Sequence, residues 1–140
     1  MPKVFTSEKQ KIGKLGEELA KKYLIKHGYT IKEENYTKKY GEIDLIAQKD
    51  NITHFVEVKS IVSHETKINV SRETQKTVTH ETYDPIQNIH PGKLKSLSRV
   101  IQVYLVTHET VLDWQFDVIT VKINEKDRIG TVKHIKDLVL

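Results

Sequence analysis

Two short segments carry acid where strands normally carry packing: Gly41-Glu42-Ile43-Asp44-Leu45-Ile46-Ala47 and Phe55-Val56-Glu57-Val58-Lys59. Both are apolar and β-branched, and Lys49-Asp50-Asn51 between them has turn chemistry, so they read as neighbouring antiparallel strands. Side chains alternate along a strand, which puts Glu57 and Lys59 on one face and Val56 and Val58 on the other. With Asp44 on that same face of the adjoining strand, two carboxylates and one ammonium converge. Such a set suits metal-dependent phosphodiester hydrolysis, with hard oxygen ligands for Mg²⁺ and a lysine placed to orient a water or offset phosphorane charge. Glu-x-Lys alone more often marks a solvated strand face with a cross-strand ion pair. Asp44 sharpens the pattern, because a carboxylate inside the apolar run Ile43 to Ala47 needs a partner and a metal would supply one.

The elements around these strands follow from periodicity. Ser7 followed by Gln10 resembles a capping box, and Ile12, Leu15, Gly16, Leu19, Ala20, Tyr23 and Leu24 then recur at helical spacing until Gly28. The opposite face of this helix carries Lys9, Lys14, Lys21 and Lys22, which reads either as a phosphate track or as ordinary solvation. Glu17 and Glu18 flank the apolar stripe, and periodicity does not say which one points toward the strands. Tyr29 to Asn35 is expected as the first strand, with 42–48 and 54–60 as the acidic pair after it.

Residues 63–88 are rich in Thr, Ser, Glu and Lys, so they read as a polar insert or a protruding β-hairpin that adds little to a core. His-Glu-Thr occurs there at His64 and His80, and again at His108, but without metal-ligand spacing, so polar turns explain it better than a metal site. Pro91 can open a second helix with an apolar stripe through Leu94, Leu97, Ile101, Tyr104 and Leu105. Lys93, Lys95 and Arg99 lie in its early turns with no acid among them, where they join free backbone amides as candidate phosphate contacts, or form a solvated face. Trp114 to Val121, with Asp117 as its odd polar member, and Gly130 to Ile135 complete the order α-β-β-β-insert-α-β-β, an α/β fold.

The chain has 140 residues, of which 37% are hydrophobic, which supports one domain spanning 1–140 and leaves no room for a second. The charged fraction is 30%, the formal net charge +4 and the isoelectric point about 9.1, a basic surplus that favours a polyanionic partner. With no cysteine, disulfides and thiolate zinc sites are excluded, and a reducing cytoplasm is the compatible compartment. No apolar run approaches the roughly 18 residues of a membrane span, so a soluble, unexported protein with no membrane partner is expected.

Taken together, these residues closely resemble the YraN-like (UPF0102) family of small bacterial proteins, within the restriction-endonuclease-like superfamily. The likeness is carried by Gly13-x-x-Gly16-Glu17, Ala20-x-x-Tyr23-Leu24, Gly28-Tyr29, Asn35, both acidic strand motifs, Pro91-x-Lys93, Tyr104-Leu105 and Phe116-Asp117-Val118. It implies a mixed β-sheet flanked by helices, similar to archaeal Holliday-junction resolvases. It also implies a Mg²⁺- or Mn²⁺-dependent endonuclease acting on nucleic acid, most plausibly DNA, and leaving a 5′-phosphate and a 3′-hydroxyl. Asp44, Glu57 and Lys59 match the superfamily's catalytic set, the backbone carbonyl of Val58 would complete part of the metal shell, and Glu17 matches a first-helix glutamate that acts through a water or a second metal. Lys14, Lys21, Lys93, Lys95 and Arg99 would position the nucleic-acid backbone. A junction-cutting relative works as a two-fold dimer, so a homodimer is an expectation here as well. The chain departs from the family pattern at Ser60-Ile61-Val62, where a basic residue is usual, and in the length between Lys59 and Pro91. The competing expectation, of a different class, is a binding or interaction module of this fold with a vestigial site.

Overall fold

The computed structural model describes residues 7–63, 91–109, 112–124, 126 and 129–140. Its elements are α1 (Glu8–Lys26), β1 (Thr30–Lys38), β2 (Gly41–Lys49), β3 (Ile52–Ser63), α2 (Pro91–Thr107), β4 (Asp113–Asn124) and β5 (Ile129–Leu138). Apart from Ser63, the polar segment 63–88 lies outside the described residues.

Ser7 caps α1 by accepting a hydrogen bond from the Gln10 amide at 3.1 Å, and Gly28 ends it at φ +90°, a backbone conformation that glycine adopts without strain. Gly16, Ala20 and Leu24 form the buried stripe at a spacing of four. Leu15, expected on that face, is 43% exposed, because one residue along a helix turns the side chain by roughly 100° away from the stripe.

Five strands form one mixed sheet in the order β1-β2-β3-β4-β5, antiparallel except for the β3–β4 pair. Asp50 and Asn51 both have positive φ (51° and 62°) and close the β2–β3 hairpin as a two-residue turn, a geometry whose twist matches the flanking strands. Parallel neighbours cannot be joined by a tight turn, so the chain crosses over the sheet between β3 and β4, and α2 lies in that connection.

The sheet is covered on both faces. Leu97, Val100, Ile101 and Tyr104 of α2 pack on Tyr36, Ile43, Ile46, Phe55, Phe116 and Val118. Ala20 and Leu24 of α1 pack on Leu45, Ala47, Val56, Ile119, Val121 and Ile123. This is the α/β arrangement that the sequence implies, with longer strands: the 12-residue β3 pairs with β4 from Ile52 to Ser63, which carries it beyond the expected 54–60. No helix among the described residues is long and apolar enough to cross a membrane.

Candidate active site

The strand alternation that packs both layers slips at Asp44. Ile43 and Ile46 both enter the α2 layer while Leu45 enters the α1 layer, so the two-residue period breaks between Ile43 and Leu45. Across the sheet, Glu34 pairs with Leu45 and Tyr36 with Ile43, and Asn35 between them turns left-handed at φ 50°. On the other side, the β2–β3 register runs from Lys49↔Ile52 to Leu45↔Val56 and stops. Asp44 and Glu57 would be the next pair, so both acids stand where the strands part.

The Asp44 carboxylate bridges that opening by accepting the Val58 backbone N–H at 2.8 Å through Oδ2. Glu57 is only 6% exposed; its Oε2 lies 3.4 Å from Lys93 Nζ, and its Oε1 is buried with no hydrogen-bond partner among the described residues. Burial first, and then the neighbouring Glu57 charge, push the Asp44 carboxyl up to about 7, against the opposing pull of the Val58 N–H and Lys93. Near neutrality the two acids therefore share their confined space by keeping a proton on Asp44.

Glu17 reaches the same region from α1. Its Oε1 accepts from Asn35 Nδ2 at 3.2 Å, and the same amide donates to Glu42 Oε2 at 2.9 Å. Burial raises the Glu17 carboxyl; the Asn35 hydrogen bond opposes this, and the charges of Asp44 and Glu42 add to it. Glu17, Glu57, Val58 and Lys59 line one open cleft beside the first half of α1, and Glu17, Asn35, Glu42 and Lys14 line the adjoining one. Glu17 does not join Asp44 and Glu57 in a set of three carboxylates all within 4.8 Å of one another. The proximity of α1 depends on Gly16: a Cβ there would overlap the Ser60 hydroxyl and stand 3.0 Å from Ser60 Cβ.

The expected phosphate contacts divide into groups. Lys93 lies at the acids, paired with Glu57, and Lys14 lines the cleft while pairing with Glu18 at 3.7 Å. Lys21 is turned to Glu34 at 2.7 Å, Lys95 is exposed on α2, and the Arg99 guanidinium lies 5.4 Å from the centroid of the Tyr40 ring. Asn35 and Glu42 were not singled out by sequence pattern as site residues, although a lone Asn at a strand position that must turn left-handed is a usable signal.

A second polar group is buried on the α1 face of the sheet. Asp117 is fully buried, and its Oδ2 accepts from His54 Nδ1 at 2.7 Å and from His134 Nε2 at 2.8 Å. Its Oδ1 accepts from Gln115 Nε2 at 2.9 Å and from the Asp137 amide at 3.0 Å. Burial alone would raise the Asp117 carboxyl, but the hydrogen bonds, led by His134 and His54, hold it well below the usual carboxylate range. The ligand atoms of His54, Asp117 and His134 lie within 4.8 Å of one another, so this group could hold a metal ion. From the sequence, Asp117 stood out only as a polar residue in an apolar strand, and the histidines were 63 and 17 positions away.

The model of the uncharacterised protein family UPF0102 matches residues 16–121, which include α1 from Gly16, both acidic strands, α2 and most of β4. A UPF0102 protein of Helicobacter hepaticus is 35% identical over 120 residues, covering 86% of this chain and 92% of the relative. One from Campylobacter fetus is 34% identical over 84% of this chain and 88% of its own length, and one from Flavobacterium psychrophilum is 31% identical over 94% and 95%. The match takes in the parted strands and the acids between them, and this chain belongs to the UPF0102 family, the YraN-like proteins.

Proposed function

We propose that the chain is a divalent-metal-dependent endonuclease that hydrolyses phosphodiester bonds in nucleic acid, DNA above all, in the cytoplasm. The observation that carries this reading is the buried pair Asp44 and Glu57, in which Glu57 Oε1 receives no N–H or hydroxyl donor among the described residues. Leaving a buried acceptor unsatisfied costs about 1–3 kcal/mol, and ionising both acids side by side would add to that cost. Hard oxygen donors confined together with a displaceable proton fit Mg²⁺ or Mn²⁺, whose charge would offset both.

Asp44 and Glu57 would hold the cation, with the Val58 carbonyl beside them and Glu17 reaching it through a water. When bound, a divalent cation polarises a phosphate oxygen and makes a neighbouring water a better nucleophile near neutral pH. The Val58 N–H fixes the Asp44 carboxylate in its rotamer, which preorganises the pair before substrate arrives. Lys59, in the same cleft as Glu57 and Glu17, would orient the attacking water and offset charge on the pentavalent phosphorus. Lys93, once a cation takes its place beside Glu57, is free to meet a phosphate, with Lys14, Lys95 and Arg99 extending the basic surface. Attack in line with the 3′-oxygen leaves a 5′-phosphate and a 3′-hydroxyl. A branched substrate would engage two copies of the chain related by a two-fold axis.

The test is incubation of purified protein with end-labelled single-stranded, duplex and branched DNA and with RNA, with Mg²⁺ or Mn²⁺ and with a chelator control. Metal-dependent internal cleavage of at least one substrate, absent from an Asp44→Asn preparation, is expected. Tight binding without cleavage of any substrate under any divalent cation would replace this reading with that of a non-catalytic binding module.

A further inference from the structure

The His54–Asp117–His134 group lies outside the proposed reaction site, and its surroundings are more specialised than a structural hydrogen-bond network needs. His54 is on β3, Asp117 on β4 and His134 on β5, so three adjacent strands each contribute one side chain to a single point beneath α1. The backbone is distorted to build it. The β4–β5 register shifts between Phe116 and Val118, around Asp117, and Asp137 takes φ 56° while donating its amide to Asp117 Oδ1. Bulges and left-handed non-glycine residues cost energy and tend to be kept where they aim a side chain. Here they aim Asp117.

The two oxygens of Asp117 are used differently. Oδ1 is held by Gln115 and the Asp137 amide, while Oδ2 points at both imidazoles. An outer pair of donors fixing one oxygen while the other faces two imidazole nitrogens is how a carboxylate ligand is oriented in a metal site. Charge points the same way. The ion-pair partners that the structure gives Asp117 are these two histidines, which are cationic only when protonated, and all three side chains are nearly inaccessible, at 6%, 0% and 2%. Among the described residues the Asp117 carboxylate relies on hydrogen bonds and on two titratable imidazoles, and a bound cation would add the fixed positive charge that they lack. The Tyr23 and Tyr29 rings pack against the imidazoles at centroid distances of 4.9–5.8 Å, which keeps water from competing.

We propose that His54 Nδ1, Asp117 Oδ2 and His134 Nε2 form a binding site for a borderline transition-metal ion of the Zn²⁺ type, which staples β3, β4 and β5 together and is distinct from the Mg²⁺ or Mn²⁺ site at Asp44 and Glu57. Two imidazole nitrogens and one carboxylate oxygen select Zn²⁺, Co²⁺ or Ni²⁺ over Mg²⁺, which prefers oxygen alone and holds its waters. Loading leaves each imidazole neutral: the ring proton now shared with Asp117 moves to the other ring nitrogen, Nε2 on His54 and Nδ1 on His134. The ligand atoms need to open by about 0.5 Å from their present hydrogen-bond spacing to reach the edge length of a tetrahedral site. This site stands independently of the nuclease reading.

The experiment uses tag-free chain carrying Asp44→Asn and Glu57→Gln, which removes the other acids from consideration, titrated with Co²⁺ and followed by visible absorption and elemental analysis after dialysis. One retained equivalent, with the intense visible bands of low-coordinate cobalt, is expected, together with displacement by Zn²⁺ and none by excess Mg²⁺. His134→Gln and His54→Gln should each abolish the bands, and Gln115→Ala should weaken retention by about tenfold while the chain stays folded. Absence of both bands and retained metal in the folded Asp44→Asn, Glu57→Gln protein would overturn the proposal and leave the group a hydrogen-bonded lock. Bands that survive both histidine substitutions would overturn it too.

Discussion

The Val58 backbone N–H donates to Asp44 Oδ2 at 2.8 Å across the point where β2 and β3 stop pairing. That bond replaces a ladder hydrogen bond with a side-chain one. It holds the Asp44 carboxyl beside Glu57 against the repulsion that arises whenever both are charged, so the strand opening and the acid pair depend on each other.

Keeping that pair together in the absence of metal should cost stability in a defined pH window. Asp44 has its carboxyl raised from 3.8 to about 7 in the folded chain, so between those values the native state binds the extra proton. Stability of the metal-free protein should therefore fall as pH rises from about 4 to 7, by up to about 1.4 kcal/mol per pH unit from this group. Asp44→Asn should remove that slope, since the amide oxygen can still accept from Val58. Urea unfolding of both proteins at several pH values in chelator measures it, and equal slopes would contradict the assignment.

Asp117 should act in a different window and with the opposite sign. Its carboxyl is held below the ordinary 3.8, so its contribution is present above that value and is lost as pH falls below about 4. Asp117→Asn should be destabilised at pH 7 by about 3 kcal/mol or more, because two histidines, an amide and a backbone N–H lose a charged acceptor. Its stability should converge on that of wild type in strong acid, as chemical denaturation would show.

The fold was largely legible in the sequence because its signals are local. The Ser7 cap, the Gly16-Ala20-Leu24 stripe, the Asp50-Asn51 turn and Pro91 each act within a few residues, and each marks an element that the structure contains. Strand alternation likewise puts Val56 and Val58 on one face, and the structure packs both in the α1 layer. The candidate site was legible in part. Asp44 announced itself as a carboxylate in an apolar run, but the slip in alternation between Ile43 and Leu45 depends on Asn35 in the neighbouring strand, which no window around Asp44 contains. The pairing of Lys93 with Glu57 is equally non-local, since it needs α2 to cross the sheet. The pairing of Lys21 with Glu34 of β1 is non-local in the same way, since a helical face does not show what lies opposite it. The His54–Asp117–His134 group was hidden for the same reason.

The close approach of α1 to β3 should matter for activity more than for folding. Gly16→Ala would push the helix off Ser60 and carry the adjacent Glu17 with it, lowering cleavage by about ten- to a hundredfold. Adding Ser60→Gly, which removes the obstructing Cβ and hydroxyl, should restore most of the rate. A double variant as slow as Gly16→Ala would mean that Glu17 is not positioned through this contact.

Lys93 and Arg99 should separate in their effects on binding and on chemistry. Arg99→Ala should weaken nucleic-acid binding for all sequences and reduce the slope of log affinity against log salt by about one, with the cleavage rate of bound substrate kept. Lys93→Ala should do the same to binding, and should also shift the pH–rate profile upward, because Lys93 now opposes the rise of the Asp44 carboxyl. Fluorescence anisotropy across a salt series and single-turnover cleavage across pH read the two effects separately.

The most direct test of the Asp44–Glu57 site is the single-turnover cleavage rate as a function of Mn²⁺ for wild type and Glu57→Gln on the same substrate. Wild type should saturate with Mn²⁺, whereas Glu57→Gln, which keeps the shape and loses a charged ligand, should be slower by about a thousandfold at every Mn²⁺ concentration with nucleic-acid affinity kept. A Glu57→Gln protein that cleaves at the wild-type rate would show that the hydrolysis does not depend on a cation held between Asp44 and Glu57.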